Sequence, residues 1–424
     1  MKNDRNIITH KVTGKVNDSF IGIKIKNDYI DFYYPESYDL ANFQTNMKEF
    51  RKDVLAILRT IEIAKTLSAD KSKIESTLSK DRFALLSYLW IIKDYLNNGI
   101  YVNREKEIKK NQHGKINWKR TMQNQPIISN GNIIFNDIVV EVRKNYDNII
   151  VDIHKYCIKK SIDIIGWLFN LNSKTIETKP FNNKIKDQYL YALRSEIDRS
   201  FDDYKKLRFN HMLKVIEGLD GKNENDEFVY GVDSYYYIFE RMIDSIFGNQ
   251  KDLKEFNPKA SWYLVSDSFK KIPSSELRPD SIFIDEKTNI AYIIDSKYYR
   301  FGTTKESSDL PETTSIQKQI TYGDYLKKNN IKIKDIRNAF ILPYNMYNNK
   351  FNTNDLIHYI GFSIAEWKNN NENKYESIYA FLIDLKYVIK FWNKNNHNEE
   401  IDKLIVLIEN AVIEKEKLQS EGKL

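Results

Sequence analysis

The chain has 424 residues, 41% hydrophobic, 13% aromatic and 29% charged, with a formal net charge of +7. That length exceeds one ordinary core and predicts two or three domains, and the composition is globular, without repeats or low-complexity tracts. No stretch approaches the roughly eighteen apolar residues of a membrane span, and the polar N-terminus lacks a signal-peptide pattern, so a cytoplasmic protein is expected.

Residues 1–225 carry 39 Lys and Arg against 29 Asp and Glu, and residues 226–424 carry 27 against 30. A basic first half suits contact with a polyanion, although lysine spread evenly over an Asn- and Ile-rich chain is also an ordinary solvated surface. Phe20–Lys26 and Ile30–Pro35 read as two short strands. A long helix is predicted from about Asp39 to Leu67, burying Phe50, Val54, Ile57, Leu58 and Ile61. A second runs from Asp81, its N-cap, to Asn98, ended by Gly99. Arg104–Gln112 is a charged break and the first candidate linker. Helical patterns occupy 135–170 and 185–218, with Cys157 a small core residue in the first. That single cysteine excludes an internal disulfide and a cysteine-based zinc site. Asp220–Asn225 is the second break. Ser234–Gly248 reads as an amphipathic helix with Tyr236, Phe239, Ile243 and Phe247 on its apolar stripe and Glu240 beside it. Farther on, Ala339–Pro343 and Ile378–Ile383 read as strands, and a terminal helix runs from Glu399 to about Lys417.

The segment Arg278–Tyr299, RPDSIFIDEKTNIAYIIDSKYY, is the most informative. Ile282–Ile284 and Ile290–Ile294 are β-rich runs around a turn-forming Asp285–Asn289. A hairpin centred on the Lys287–Thr288 step sets Asp280 opposite Asp295. Strand alternation then gives Asp295 and Lys297 one face and turns Ser296 to the other. Two carboxylates and an ammonium thus share a patch, as is needed to hold a divalent metal and orient a water toward a phosphodiester. A surface hairpin with a solvated salt bridge is the plain alternative.

Pro279-Asp280 with Asp295-Ser296-Lys297 resembles the PD-(D/E)xK nuclease superfamily. The resemblance implies that Asp280, Asp295 and the Ser296 carbonyl ligate Mg²⁺ and that Lys297 manages the attacking water. It implies that Glu240, on the preceding helix, completes the metal site; otherwise Glu240 is a boundary residue paired with Arg241 or Lys251. On the helix Thr314–Leu326 it implies that Gln319 and Tyr322 line the site and touch phosphate. Arg300–Pro311 is expected to be a mobile polar loop.

His113–Thr121 combines Lys115, Lys119 and Arg120 with Trp118 and a flexible Gly114. The cations could bind phosphate while the indole stacks, or Trp118 could simply fill a core. The string GKINWKRT is similar to a segment of the LlaJI-type restriction endonucleases and, more loosely, of the nuclease subunits of modified-cytosine (McrC-like) restriction complexes. Phe20-Ile21-Gly22, Tyr34-Pro35, Phe239-Glu240, Asp295–Tyr299 and Lys318-Gln319 with Tyr322 extend the resemblance over about residues 20–390. It implies an α/β (α+β) chain. A PD-(D/E)xK core, a mixed sheet flanked by helices, would occupy 223–424. A small-sheet and helical recognition domain would occupy 1–105, and a basic helical region 106–222.

The function implied is Mg²⁺-dependent hydrolysis of double-stranded DNA at a specific sequence, in host defence. A homodimer on DNA and a cognate methyltransferase would be its partners. The chain has no GxxxxGK(S/T) run, so any GTPase motor must be a separate subunit. Alternative readings are the nuclease subunit of such a motor-driven complex, a repair or recombination nuclease, and a non-catalytic DNA-binding subunit. Six scattered histidines and the lack of a GxSxG run disfavour serine or histidine nucleophilic chemistry.

Overall fold

The structure, a computed structural model, describes residues 6–15, 17–26, 29–67, 85–129, 132–146, 149–181, 183–218, 228–250, 252–329, 332–368 and 373–424. The expected N-cap Asp81 and the break at 220–225 lie outside these residues. Residues 81–227 form one compact unit, and residues 5–80 together with 228–424 form the other.

The chain opens with β1 (Asn6–Val12), β2 (Ile21–Lys26) and β3 (Tyr29–Pro35). β1 runs parallel to β3, and β2 antiparallel to it. Helix α1 (Met47–Leu67) follows, starting at Met47 rather than near Asp39. The Asn46 side chain accepts the Glu49 N–H at 3.1 Å and caps the helix there. The segment before it folds back onto buried Asp53, which accepts from the Ala41 N–H at 3.0 Å and the Tyr38 hydroxyl at 3.1 Å. The expected apolar stripe from Phe50 to Ile61 is fully buried.

The unit 81–227 contains α2 (Leu85–Asn98), β4 (Asn103–Lys110), β5 (Lys115–Ile116), α3 (Trp118–Thr121), β6 (Ile127–Ser129), β7 (Asn132–Ile134), β8 (Val139–Tyr146), α4 (Ile149–Ile165), α5 (Asn183–Arg199) and α6 (Asp203–Glu217). Two expectations fail here. The linker at 104–112 is strand β4, and the helical pattern from 135 begins as strand β8; the two pair from Asn103↔Tyr146 to Lys110↔Val139. A charged strand such as β4 has no alternation to read, and only its distant partner satisfies its backbone. The 185–218 pattern is two helices, separated at Ser200–Asp202, where Asp202 caps α6 by accepting the Lys205 N–H. Cys157 is a buried core residue on α4, as expected.

In the other unit, β9 (Phe228–Val232) pairs antiparallel with β2, from Ile25↔Phe228 to Ile21↔Val232, and completes a sheet in the order β1-β3-β2-β9. This ladder joins residues 5–80 to the C-terminal half, so the compact units differ from the expected division at 105 and 222. Next come α7 (Tyr235–Phe247), β10 (Ser261–Tyr263), β11 (Lys271–Pro273), β12 (Ser281–Asp285), β13 (Ile290–Ser296), α8 (Phe301–Thr304) and α9 (Thr313–Asn329). The chain ends with β14 (Asp335–Tyr344), β15 (Ile357–Ile364), β16 (Ser377–Asp384), α10 (Leu385–Phe391) and α11 (Asn398–Ser420).

A mixed five-stranded sheet ordered β12-β13-β14-β16-β15 carries this unit. Its three central strands are parallel and both edges antiparallel. On one face Ala291 and Ile293 pack with Tyr322 and Leu326 of α9. On the other, Tyr292 and Ile294 meet Phe247 of α7 and Leu404 and Ile408 of α11. A sheet covered on both faces explains why β13 and β14 read as nearly continuous apolar runs. The architecture is α+β.

Candidate active site

The β12–β13 hairpin adopts the register read from the sequence, running from Asp285↔Ile290 to Ser281↔Ile294. One step beyond the ladder, Asp280 lies opposite Asp295. The Asp280 Oδ2 accepts the Ser296 N–H at 2.8 Å, which extends the pairing past the last regular rung. Asp295 continues the face of Ile293, toward α9. Its Oδ2 is ion-paired to the Lys297 ammonium, and that ammonium lies 5.8 Å from the centre of the Phe340 ring. Ser296 turns the other way and is buried.

Electrostatics bind this group together. Burial, then the charges of Asp295 and Glu240, push the Asp280 carboxyl well above the usual carboxylate range; Lys297 and the Ser296 N–H only partly offset them. Burial pulls the Lys297 ammonium down, but the charge and hydrogen bond of Asp295, with Asp280 behind them, outweigh it and raise Lys297 above its ordinary value. Burial first, then Asp295 and Asp280, raise the Tyr322 hydroxyl. The site is therefore a half-enclosed cluster of negative charge with one ammonium in it. Among the described residues no three His, Cys, Asp or Glu side chains converge closely enough to hold a metal unaided.

Glu240 is half-buried on α7, one helical turn before Asp244. Its helix buries Tyr235, Ile238, Phe239, Met242, Ile243, Ile246 and Phe247. Each such side chain contributes about 1.5–3 kcal/mol over its exposed state. The stripe thus starts at Tyr235; Tyr236, expected on it, is 41% exposed.

Gln319 and Tyr322 lie on α9 but do not open onto a surface. Gln319 is fully buried and its Nε2 donates to the Ile293 carbonyl at 2.9 Å, two residues before Asp295. Tyr322 is 5% exposed and its hydroxyl donates to the Arg278 carbonyl at 2.9 Å, two residues before Asp280. α9 packs directly on β13 and β14, so these two polar groups satisfy backbone carbonyls, one in β13 and one in the loop before β12.

Several contributors escaped sequence reading. Tyr298, after Lys297, packs against Tyr235 and Phe239 of α7 at ring distances of 5.7 and 5.6 Å. Gly14, at φ +74°, is in the turn after β1, and a Cβ there would meet the Tyr298 ring at 3.5 Å. Arg300 grips Glu36 through two hydrogen bonds, at 2.9 and 3.2 Å. Residues 300–311, expected to be a mobile loop, form α8 and a hydrogen-bonded turn in which the Thr304 hydroxyl donates to Asp309 at 2.6 Å. Nothing local in the sequence pairs position 14 with 298 or 36 with 300.

In the unit 81–227, the GKINWKRT segment forms β5 and the capped turn α3. Asn117 Oδ1 accepts the Arg120 N–H at 3.1 Å and its Nδ2 donates to Glu141 at 2.9 Å. Thr121 is fully buried and its hydroxyl accepts the Val139 N–H at 3.0 Å. A Cβ on Gly114 would sit 2.7 Å from the Glu141 carbonyl oxygen, so the backbones approach as only glycine allows. Lys115, Lys119 and Arg120 are exposed, and Trp118 is 57% exposed, which rules it out as core filler.

The model of the LlaJI restriction endonuclease family matches residues 20–386. The chain belongs to the LlaJI restriction endonuclease family. Membership gives this LlaJI-family chain DNA as its substrate class and restriction as its setting. No curated protein matches it significantly. Among solved structures it is similar to a half-complex of Thermococcus gammatolerans McrB AAA+ hexamers with bound McrC, at 12% identity and TM-score 0.39, over 88% of this chain and 81% of that one. It is also similar to the Thermococcus gammatolerans McrBC complex, at 13% identity and TM-score 0.25, over 53% and 64%.

Proposed function

We propose that this LlaJI-family chain is a PD-(D/E)xK endonuclease that hydrolyses double-stranded DNA at a specific sequence with Mg²⁺. The observation that carries the reading is the convergence of Asp280, Asp295 and Lys297 at the end of a buried central strand, with burial first, then carboxylate repulsion, lifting Asp280. A bound cation would relieve that repulsion, so the donor set fits a hard metal. Asp280, Asp295 and the Ser296 carbonyl would hold Mg²⁺, with Glu240 on α7 adding negative charge nearby. This leaves coordination places for water and phosphate, as Mg²⁺ requires. When bound, Mg²⁺ supplies Lewis-acid polarisation of the phosphate and a more acidic water.

The protein's own groups do the rest. Lys297, fixed by Asp295, orients the attacking water and neutralises charge building on the phosphate oxygens. Gln319 and Tyr322 are positioning residues: the first holds β13 just before Asp295, the second holds the backbone just before Pro279. Lys115, Trp118, Lys119 and Arg120 form an exposed cationic–aromatic patch suited to the DNA backbone. Cutting both strands needs two such sites, so two copies would meet on DNA.

The test is incubation of unmethylated plasmid and phage DNA with wild type or Asp295→Ala, in Mg²⁺ or EDTA. Discrete Mg²⁺-dependent fragments that vanish with Asp295→Ala establish the activity. Fragments that appear only when a GTP-hydrolysing partner is added place the same site in a motor-driven complex. No cleavage under either condition removes the catalytic reading.

A further inference from the structure

One hairpin, rooted in the core beside β12 and β13, presents an exposed apolar tip. β10 and β11 pair from Ser261↔Pro273 to Tyr263↔Lys271, and every residue from Trp262 to Lys271 is exposed. Trp262, Tyr263, Leu264, Val265 and Phe269 are 63%, 56%, 40%, 79% and 63% exposed. A soluble surface rarely clusters large apolar groups in this way unless they meet something.

The tip is built, not loose. The Phe269 N–H donates to the Leu264 carbonyl at 2.9 Å, Ser268 N–H to Val265 at 3.2 Å and Lys270 N–H to Asp267 at 3.0 Å. Ser268 and Phe269 both take left-handed backbone, at φ 53° and 59°. That conformation is costly for a bulky aromatic residue. The root is equally firm. Phe256 and Leu277, flanking the hairpin, belong to the apolar cluster that includes Ile282, Ile293 and Tyr322. The Ser274 N–H donates to Ala260 at 2.9 Å and Leu277 N–H to Pro258 at 3.1 Å. Past Leu277 comes Arg278, held by Tyr322, and then the Pro279-Asp280 pair.

Charge selects the occupant. Residues 257–278 carry Lys259, Lys270, Lys271 and Arg278 against Asp267 and Glu276, whereas residues 226–424 as a whole are net acidic. Lys259 and Glu276 neutralise each other at 3.3 Å near the root. Lys270 and Lys271 flank the aromatic tip and pair with no carboxylate among the described residues. Aromatic rings flanked by cations, fixed beside a site for phosphodiester chemistry, fit DNA better than a protein surface.

We propose that the Trp262–Lys271 hairpin is a DNA wedge: Trp262 and Phe269 press against the bases next to the scissile phosphate, and Lys270 and Lys271 take the adjoining phosphates. The inference rests on the nuclease reading for its substrate. Six extended residues reach at most about 20 Å, so the tip would touch the duplex within about six base pairs of its root.

The experiment uses the full chain in EDTA, with binding of a fluorescein-labelled duplex followed by anisotropy and thymine unstacking by permanganate. W262A/F269A is expected to bind about 10- to 100-fold more weakly and to lose the reactive thymines, with its melting temperature unchanged. W262F/F269Y is expected to bind like wild type. K270E/K271E is expected to weaken binding and reduce the salt dependence by about two counterions, independently of the aromatic variant's folding. Wild-type affinity in both W262A/F269A and K270E/K271E overturns the proposal, as does a wild type that binds no DNA. Loss of self-association in sedimentation, with DNA affinity unchanged, overturns it in favour of a protein interface. Cleavage is measured in parallel. Hairpin-dependent binding without Mg²⁺-dependent cutting, whether or not the GTP-hydrolysing partner is added, keeps the wedge and removes the nuclease reading, and cutting with hairpin-independent binding does the reverse.

Discussion

Oδ2 of Asp280 accepts a 2.8 Å hydrogen bond from the backbone N–H of Ser296, the residue that separates Asp295 from Lys297. This bond holds Asp280 opposite Asp295 in a buried place, and burial first, then repulsion, lifts its carboxyl. Asp280→Asn should therefore abolish cleavage and raise stability, since the amide oxygen can still accept from Ser296. The sign follows from linkage. A carboxyl whose folded pKa lies above its unfolded value costs stability in full above the folded pKa; the cost shrinks as pH falls from there and is gone only below the unfolded value of about 4. Urea midpoints of variant and wild type should differ most at neutral pH and converge on acidification. A variant less stable than wild type at pH 7 would refute the crowding argument.

Lys297 and Gln319 separate chemistry from positioning. Lys297→Ala should lower the cleavage rate about 10²- to 10⁴-fold while DNA affinity in EDTA stays near wild type. Gln319→Ala removes the donor to a buried carbonyl and should cost about 1–3 kcal/mol of stability. Its activity loss should recover at lower temperature, where the fold is retained; the loss in Lys297→Ala should not.

Asp53 is the buried anion that joins α1 to α10. Lys386 reaches it at 2.9 Å and Lys390 at 3.1 Å, besides the contacts from Tyr38 and Ala41. Asp53→Ala leaves two ammonium groups and two donors without their acceptor. The expected cost is about 3–5 kcal/mol, read as a lower denaturant midpoint and faster proteolysis.

In the unit 81–227, His154 should make stability pH-dependent. Its Nδ1 accepts the Tyr101 N–H at 2.8 Å, and burial, then the Arg208 charge, pull it down to about 4. Such a group is neutral when folded but protonated below about 6.5 when unfolded. Its contribution is complete above pH 6.5 and is lost as pH falls toward 4. Moving from pH 7 to pH 5 should cost about 2 kcal/mol through His154. His154→Asn should flatten that slope in denaturant titrations; an unchanged slope would count against the assignment.

The chemistry-bearing hairpin was legible because its signals are local. β-branched runs, a polar turn and strand alternation set Asp280 opposite Asp295 and Lys297 beside it, and backbone pairing within some twenty residues enforces that register. Helices α1, α7 and α9 were visible for a related reason, since an apolar face repeats along a single helix. Strand β4 was not, because Arg104–Lys110 is charged at every position but Ile108 and becomes a strand only when β8 satisfies its backbone.

The sequence by itself therefore determined the family, the juxtaposition of Asp280, Asp295 and Lys297, and most helices. These depend on neighbours along the chain. The tertiary structure alone decided that residues 5–80 belong with 228–424, through the β2–β9 ladder and the Arg300–Glu36 pair. It alone turned Gln319 and Tyr322 inward onto backbone carbonyls and left the Trp262–Phe269 tip exposed. Burial and long-range pairing are properties of what the folded chain brings alongside a residue, and no local pattern records that.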